Sequence, residues 1–310
     1  MSVNLWSFNM SFLFPENIRK VGLFALSFGN QGQKYFDIAL KRLEEMGVQY
    51  ELSLPEGGEY RYLAGNDKAR AASFNKLLAD DSIDLLFAIR GGFGAVRALP
   101  YIDWELLLKR NIPVAGYSDV GSFLIPAWKK GFKKGIMGKM AEATFGSVRL
   151  SQAEIDCGAR ALHECTAGKV ICPTSDRSLC AVKAGSATAP VIPCCLPILT
   201  SLIGTPWMPD LTNTILVLES VNTNACTVER SLTQLEQCGI LSKLAGVVFG
   251  SFTNCDQMEY LPELYRDYGA KVPGPVCSDF KFGHDEPGAV IRVGGVATLE
   301  VSQTGTVSFA

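Results

Sequence analysis

Histidine is almost absent from this chain, with only His163 and His284 among 310 residues. The ten cysteines include no Cys-x-x-Cys pair, so the usual spacings of a structural zinc site are missing and no bound metal is expected. Charge of one sign is not in excess either. With 29 basic residues against 31 acidic ones, no overall field draws the chain to nucleic acid or to an anionic membrane. No window reaches the ~20 apolar residues a membrane span requires. Met1 to Arg19 lacks the basic start of a secretory signal, and Asn and Ser interrupt its apolar run, so residues 1–18 are expected to form an added edge strand or a flexible arm. Arg90-Gly91-Gly92-Phe93-Gly94 is neither a Walker A loop nor a dinucleotide fingerprint. A chain of this length builds its core without disulfides, so free thiols in a reducing cytoplasm are the expectation.

What is present is ample material for a core, with 47% apolar and 19% charged residues. Lys20 to Leu26 reads as a buried strand. Phe36, Ala39, Leu40, Leu43 and Met46 follow at helical spacing to Gly47, and Val48 to Leu54 returns as a strand. A second helix over Asn66 to Asp80, a strand over Ile83 to Ile89 and another over Val114 to Gly116 continue the alternation. That alternation predicts an α/β fold with a parallel, doubly wound sheet over residues 1–150. Ser151 to Cys180, broken by Gly168 and Pro173, reads as a linker (151–181) whose helical first part carries an exposed His163. From 182 to 310 short strands dominate, giving a smaller β-rich domain. Thr214 to Leu218 is a strand ending at Glu219, and Gly295–Val301 with Gly305–Phe309 forms a hairpin turning at Thr304-Gly305.

In open α/β sheets ligands sit outside the carboxyl ends of the strands, which turns attention to Gly116-Tyr117-Ser118-Asp119. Ser118 has two readings there, a helix N-cap or a nucleophile. Attack on an amide by serine needs a base, a group that orients the base, and N–H donors for the developing oxyanion. His284, between Gly283 and Asp285 in a turn-rich loop, is the candidate base, and Glu219 the candidate orienting carboxylate. The N–H groups of Gly92 and Asp119 are the candidate oxyanion hole. The order Ser, Glu, His also occurs in α/β-hydrolases, but Val120 replaces the last glycine of their Gly-x-Ser-x-Gly elbow, so their fold is not implied.

Taken jointly, several segments resemble those of the LD-carboxypeptidase serine peptidases, a family that includes the microcin C immunity peptidases. They are Arg90 to Gly94 with Arg97 and Pro100; Gly116 to Asp119; Ile215 to Glu219; Arg230 with Leu232 to Leu235; and Phe282-Gly283-His284, in similar order from about Val21 onward. The resemblance implies a cofactor-free, cytoplasmic hydrolase with an N-terminal Rossmann-like domain, a β-rich C-terminal domain and a Ser118–His284–Glu219 triad between them, with Gly92 and Asp119 as oxyanion donors. It also implies a homodimer that takes a small peptide, releasing terminal D-alanine from murein tetrapeptide in peptidoglycan recycling. A peptidyl- or acyl-nucleotide amide, or ligand binding without turnover, are the alternatives. Met137-Gly138-Lys139-Met140 and Pro193-Cys194-Cys195-Leu196 stand where the family commonly has His-Gly-Pro and Gly-Gly-Asn-Leu. Cys194 and Cys195 are expected to be buried as small hydrophobes.

Overall fold

Apolar runs such as Leu85-Leu86-Phe87-Ala88, in which every side chain is buried, are strands covered on both faces. The computed structural model describes residues 18–29, 33–173 and 179–310. The first strands are β1 (Lys20–Phe24), β2 (Gln49–Ser53), β3 (Leu85–Ala88), β4 (Val114–Gly116) and β5 (Gly135–Met137). They lie in the order β2-β1-β3-β4-β5, all parallel. Side chains alternate across a strand, so Leu85 and Phe87 pack with Phe36, Ala39 and Leu43 of helix Gln33–Glu45, whereas Leu86 and Ala88 pack with Phe74, Leu77 and Leu78 of helix Asp67–Ala79. The expected doubly wound arrangement is therefore present. The second of these helices is capped by Asn66, whose side chain accepts the Ala69 N–H at 2.9 Å.

Residues 151–173 pack onto this sheet and do not form the expected linker. Ser151 and Glu154 make a reciprocal capping box that starts helix Gln152–Ala167, which buries Ile155, Ala159, Leu162 and Cys165. The breakers Gly168 and Pro173 come only after it. His163 is half-buried rather than exposed. The chain then gives β6 (Ile171–Cys172), β7 (Cys180–Lys183), β8 (Gly185–Cys195), β9 (Ile215–Asn224), β10 (Gly246–Asp256), β11 (Val276–Ser278), β12 (Val290–Arg292), β13 (Val296–Val301) and β14 (Val307–Phe309). Residues 174–178 of the expected linker and 1–17 of the expected arm lie outside the described residues.

The second sheet has the order β14-β13-β8-β9-β10-β11-β7, with β8 to β11 parallel and the rest antiparallel. The hairpin falls at the expected turn, with Gly305 at φ +88° and Leu299 opposite Phe309. One strand departs from the division at 182. β12 leaves the second half and enters the first sheet, pairing antiparallel with β5 through Ile291 and Met137, and β6 pairs with β12 in turn. Apolar residues of both halves merge in one buried cluster that runs from Phe123 and Met137 to Leu196, Leu216 and Phe282. Among the described residues no helix is long and apolar enough to cross a membrane.

Candidate active site

The backbone at Ser118 is in the left-handed region, φ +59°, a strained conformation for a residue with a Cβ and one that recurs at functional turns. Glycines make room for it. A Cβ on Gly116 would stand 2.7 Å from Val120 Cγ1, and one on Gly91 would stand 2.9 Å from Ser118 Cβ. Ser118–Val120 forms a short 3-10 turn ahead of helix Gly121–Lys129, and neither takes a side-chain cap. The N-cap reading of Ser118 therefore fails. Its Oγ lies instead 3.0 Å from Nε2 of His284, whose Nδ1 lies 2.8 Å from Oε2 of Glu219.

Each partner is held by local structure. Glu219 does not end its strand: β9 continues to Asn224, and the carboxylate sits mid-strand, 2% exposed and opposite Cys195 of β8. Gly283, at φ +117°, lets the His284 loop cross it, because a Cβ there would fall 2.6 Å from Glu219 Cγ. The loop is anchored by the Ser251 N–H, which donates to the Phe282 carbonyl at 2.9 Å, and the Tyr117 ring meets the imidazole edge-on at a centroid distance of 5.1 Å. Two residues beyond the histidine, Glu286 accepts Nζ of the fully buried Lys139 at 2.5 Å and the Thr144 hydroxyl at 3.2 Å.

Of the two expected oxyanion donors, Asp119 follows the serine directly and Gly92 lines the same cleft. Gly92, at φ +125°, lies against the Phe28 ring, and the position of a Gly91 Cβ would be 3.4 Å from the Asp119 nitrogen. The Asp119 side chain is a brace, accepting the Ser27 hydroxyl at 2.6 Å and the Ala95 N–H at 2.8 Å. Burial pushes its carboxyl above the usual range, while the bonds from Ser27, Ala95 and Gly94 pull the other way. Beneath the loop the fully buried Arg70 donates to the carbonyls of Leu26, Gly65 and Gly94 and pairs with Asp67 at 2.5 Å. Sequence reasoning missed Arg70, because it counts as one polar position on an otherwise ordinary amphipathic helix.

The cleft above Ser118 has a volume of about 470 Å³ and is lined by Tyr35, Arg90, Ser118, Met140, Glu142 and His284 among others. A larger hollow of about 720 Å³, lined by Phe252, Tyr265, Arg266 and Asp279 among others, holds none of the serine, histidine and glutamate. Cys194 and Cys195 are buried, as expected. Burial pushes the Cys195 thiol well up, and the charge of Glu219 and a hydrogen bond to it add to the rise. A neighbour of the carboxylate was thus hidden in a pair read only for its packing.

A serine hydroxyl, an imidazole and a carboxylate in one hydrogen-bonded line form the arrangement on which serine hydrolases are built, here set between two sheets. Family models for the LD-carboxypeptidase N-terminal domain and C-terminal domain match residues 21–138 and 188–299. The chain belongs to the LD-carboxypeptidase family, and is a hydrolase of the carboxypeptidase kind. It is 28% identical over 284 residues to a probable murein peptide carboxypeptidase of Bacillus subtilis, covering 87% of this chain and 85% of that one. It is 27% identical over 285 residues to the murein tetrapeptide carboxypeptidase of Pseudomonas aeruginosa, covering 85% and 88%. The solved structure of MccF in complex with glutamyl sulfamoyl guanosine superposes with a TM-score of 0.83 at 20% identity, covering 92% of this chain and 94% of that chain.

Proposed function

We propose that the protein is a serine carboxypeptidase that hydrolyses an L-to-D peptide bond, releasing terminal D-alanine from a murein tetrapeptide as part of peptidoglycan recycling. The observation that carries the reading is the line Glu219–His284–Ser118 at the cleft, with bonds of 2.8 and 3.0 Å. With the Nδ1 proton donated to Glu219, Nε2 accepts the proton of Ser118 as Oγ bonds to the scissile carbonyl carbon. The carbonyl π pair moves to oxygen, facing the N–H groups of Gly92 and Asp119. Collapse breaks the C–N bond, and His284 passes its proton to the departing nitrogen. Water then attacks the Ser118 ester, loses a proton to His284, and releases the shortened peptide as the serine hydroxyl is restored. The murein peptide is favoured over a nucleotide amide because the murein peptidases are the more similar in sequence, at 28% and 27% identity over most of the chain against 23% for the microcin C7 self-immunity protein MccF. Residues 141–190 also hold no tryptophan to stack on a base. On the resemblance alone, the working form is taken to be a cytoplasmic homodimer.

Incubation with murein tetrapeptide, followed by a D-amino-acid oxidase assay, tests the substrate. Release of D-alanine by the wild type and none by Ser118→Ala is the expected result. Cleavage of a peptidyl-nucleotide amide without any D-alanine release would overturn it, and failure of a fluorophosphonate to label Ser118 would favour a binding protein. Gly91→Ala is a sharper local check. The new Cβ would stand 2.9 Å from Ser118 Cβ and 3.1 Å from its Oγ, so the hydroxyl is displaced and kcat/KM is expected to fall by about 100-fold. Far-ultraviolet circular dichroism should be unchanged.

A further inference from the structure

The cleft contains a charged pair that is not settled. Arg90, directly before the Gly91-Gly92 turn, faces Glu142 with Nη1 3.7 Å from Oε2, and their side chains are 22% and 11% exposed. Buried guanidinium–carboxylate pairs normally close to about 2.7–2.9 Å with two parallel hydrogen bonds. This one makes none. Arg90 Nε and Glu142 Oε1 are both buried without a hydrogen-bond partner, a costly state unless a ligand completes it. The separation does not come from loose backbone, since the Glu142 N–H donates to the carbonyl of Ile89 at 2.9 Å. Glu142 belongs to a single π-helical turn, Ala141–Phe145, a form that recurs at functional sites. The contrast with Lys139 and Glu286, in firm contact at 2.5 Å in the same molecule, is direct.

We propose that Arg90 receives the terminal carboxylate of the substrate, and that Glu142 is the internal counter-ion from which the guanidinium turns away on binding. The proposal rests on the carboxypeptidase reading and deepens it by naming what makes the enzyme act at a chain end. A carboxypeptidase brings a carboxylate next to the scissile bond into a cleft that strips its water, and that charge needs a cation with hydrogen bonds to give. Arg90 is the one lysine or arginine among the described residues that line the cleft around Ser118. Its neighbour Gly91 lies against the serine, since a Cβ there would stand 3.1 Å from Ser118 Oγ, so the cation is anchored one residue from the point of contact with the nucleophile. Burial raises the Glu142 carboxyl, which eases the loss of its partner by proton uptake.

Binding separates this proposal from the hydrolytic one. In the Ser118→Ala background, a tetrapeptide ending in an L-to-D bond is titrated calorimetrically as the free acid and as its C-terminal amide. The free acid should bind roughly 30-fold more tightly, the ratio a charged hydrogen-bonded contact supplies. Adding Arg90→Gln should erase the preference by weakening the acid alone, and Arg90→Lys should restore part of it. Glu142→Gln removes the competing anion and should tighten the acid several-fold. Equal binding of acid and amide, binding of neither, or a preference that survives Arg90→Gln overturns the proposal. So does a loss in Glu142→Gln equal to that in Arg90→Gln, which would mark the pair as structural. An acid preference that depends on Arg90, in a wild-type protein that hydrolyses neither peptide, supports this assignment and removes the hydrolytic one.

Discussion

Ser118→Ala is expected to lower kcat on the tetrapeptide by about 10⁴-fold or more, with the melting temperature nearly unchanged. The size follows from what the hydroxyl does: without Oγ there is no acyl intermediate, and water must attack directly in a site shaped for serine. His284→Ala should cost about as much, because an unassisted hydroxyl is a poor nucleophile at neutral pH. The double variant should be no worse than either single one, since the residues act as a unit and their losses do not add. Glu219→Gln should also be severe. An amide nitrogen turned toward Nδ1 would hold the imidazole in the wrong tautomer, with the proton on the face that must accept from Ser118. Single-turnover assays on the four proteins decide the matter, and retention of even a tenth of the activity in Ser118→Ala would refute the assignment.

The second large effect is on stability. Lys139 is completely buried and Glu286 nearly so, and apart from each other the carboxylate has the Thr144 hydroxyl as its hydrogen-bond donor. Lys139→Met leaves a buried carboxylate without its cation, a change that costs about 3–5 kcal/mol. Lys139→Met/Glu286→Gln should recover most of the loss, because the uncompensated charge is gone and a glutamine can still meet Thr144. Urea unfolding of the two variants and the wild type measures this. A cost for Lys139→Met of about 1 kcal/mol or less, as for an exposed pair such as Lys169 with Glu164, would contradict the burial argument. Glu286 lies two residues after His284, so the single variant should also lose activity before it unfolds.

How much of this was legible beforehand depended on whether the signal was local. Ser118, Glu219 and His284 each carried a nearby mark: a Gly-x-Ser-Asp turn after an apolar strand, a carboxylate in a run of buried residues, and a rare histidine in a glycine turn. The chemistry of serine attack then chose among them. The hairpin from Val296 to Phe309 was readable from alternation and Gly305. The remainder was set by contacts far apart in sequence. Helix Gln152–Ala167 looked like a connector because polar residues fill its outer face, whereas Ile155, Ala159 and Leu162 show only against the sheet. Arg70, Cys195 and Lys139 are buried polar groups, the last paired with Glu286, and no periodicity reports which partner will compensate them. The Met137 to Met140 departure from the family pattern was visible, but that its lysine would cross to a residue 147 positions away was not.

The path of β12 bears on how the molecule is made. β6 hangs on β12, and β12 begins only six residues after His284. A nascent chain that has emerged through Cys172 holds the serine and its strand but lacks the strand that joins β5 to β6. Closing that gap is a contact of very long sequence separation, the kind that slows folding. The edge of β5 therefore stays open during synthesis until the segment carrying the base arrives. Placement of the histidine beside the serine and completion of the nucleophile's own sheet then become a single late event.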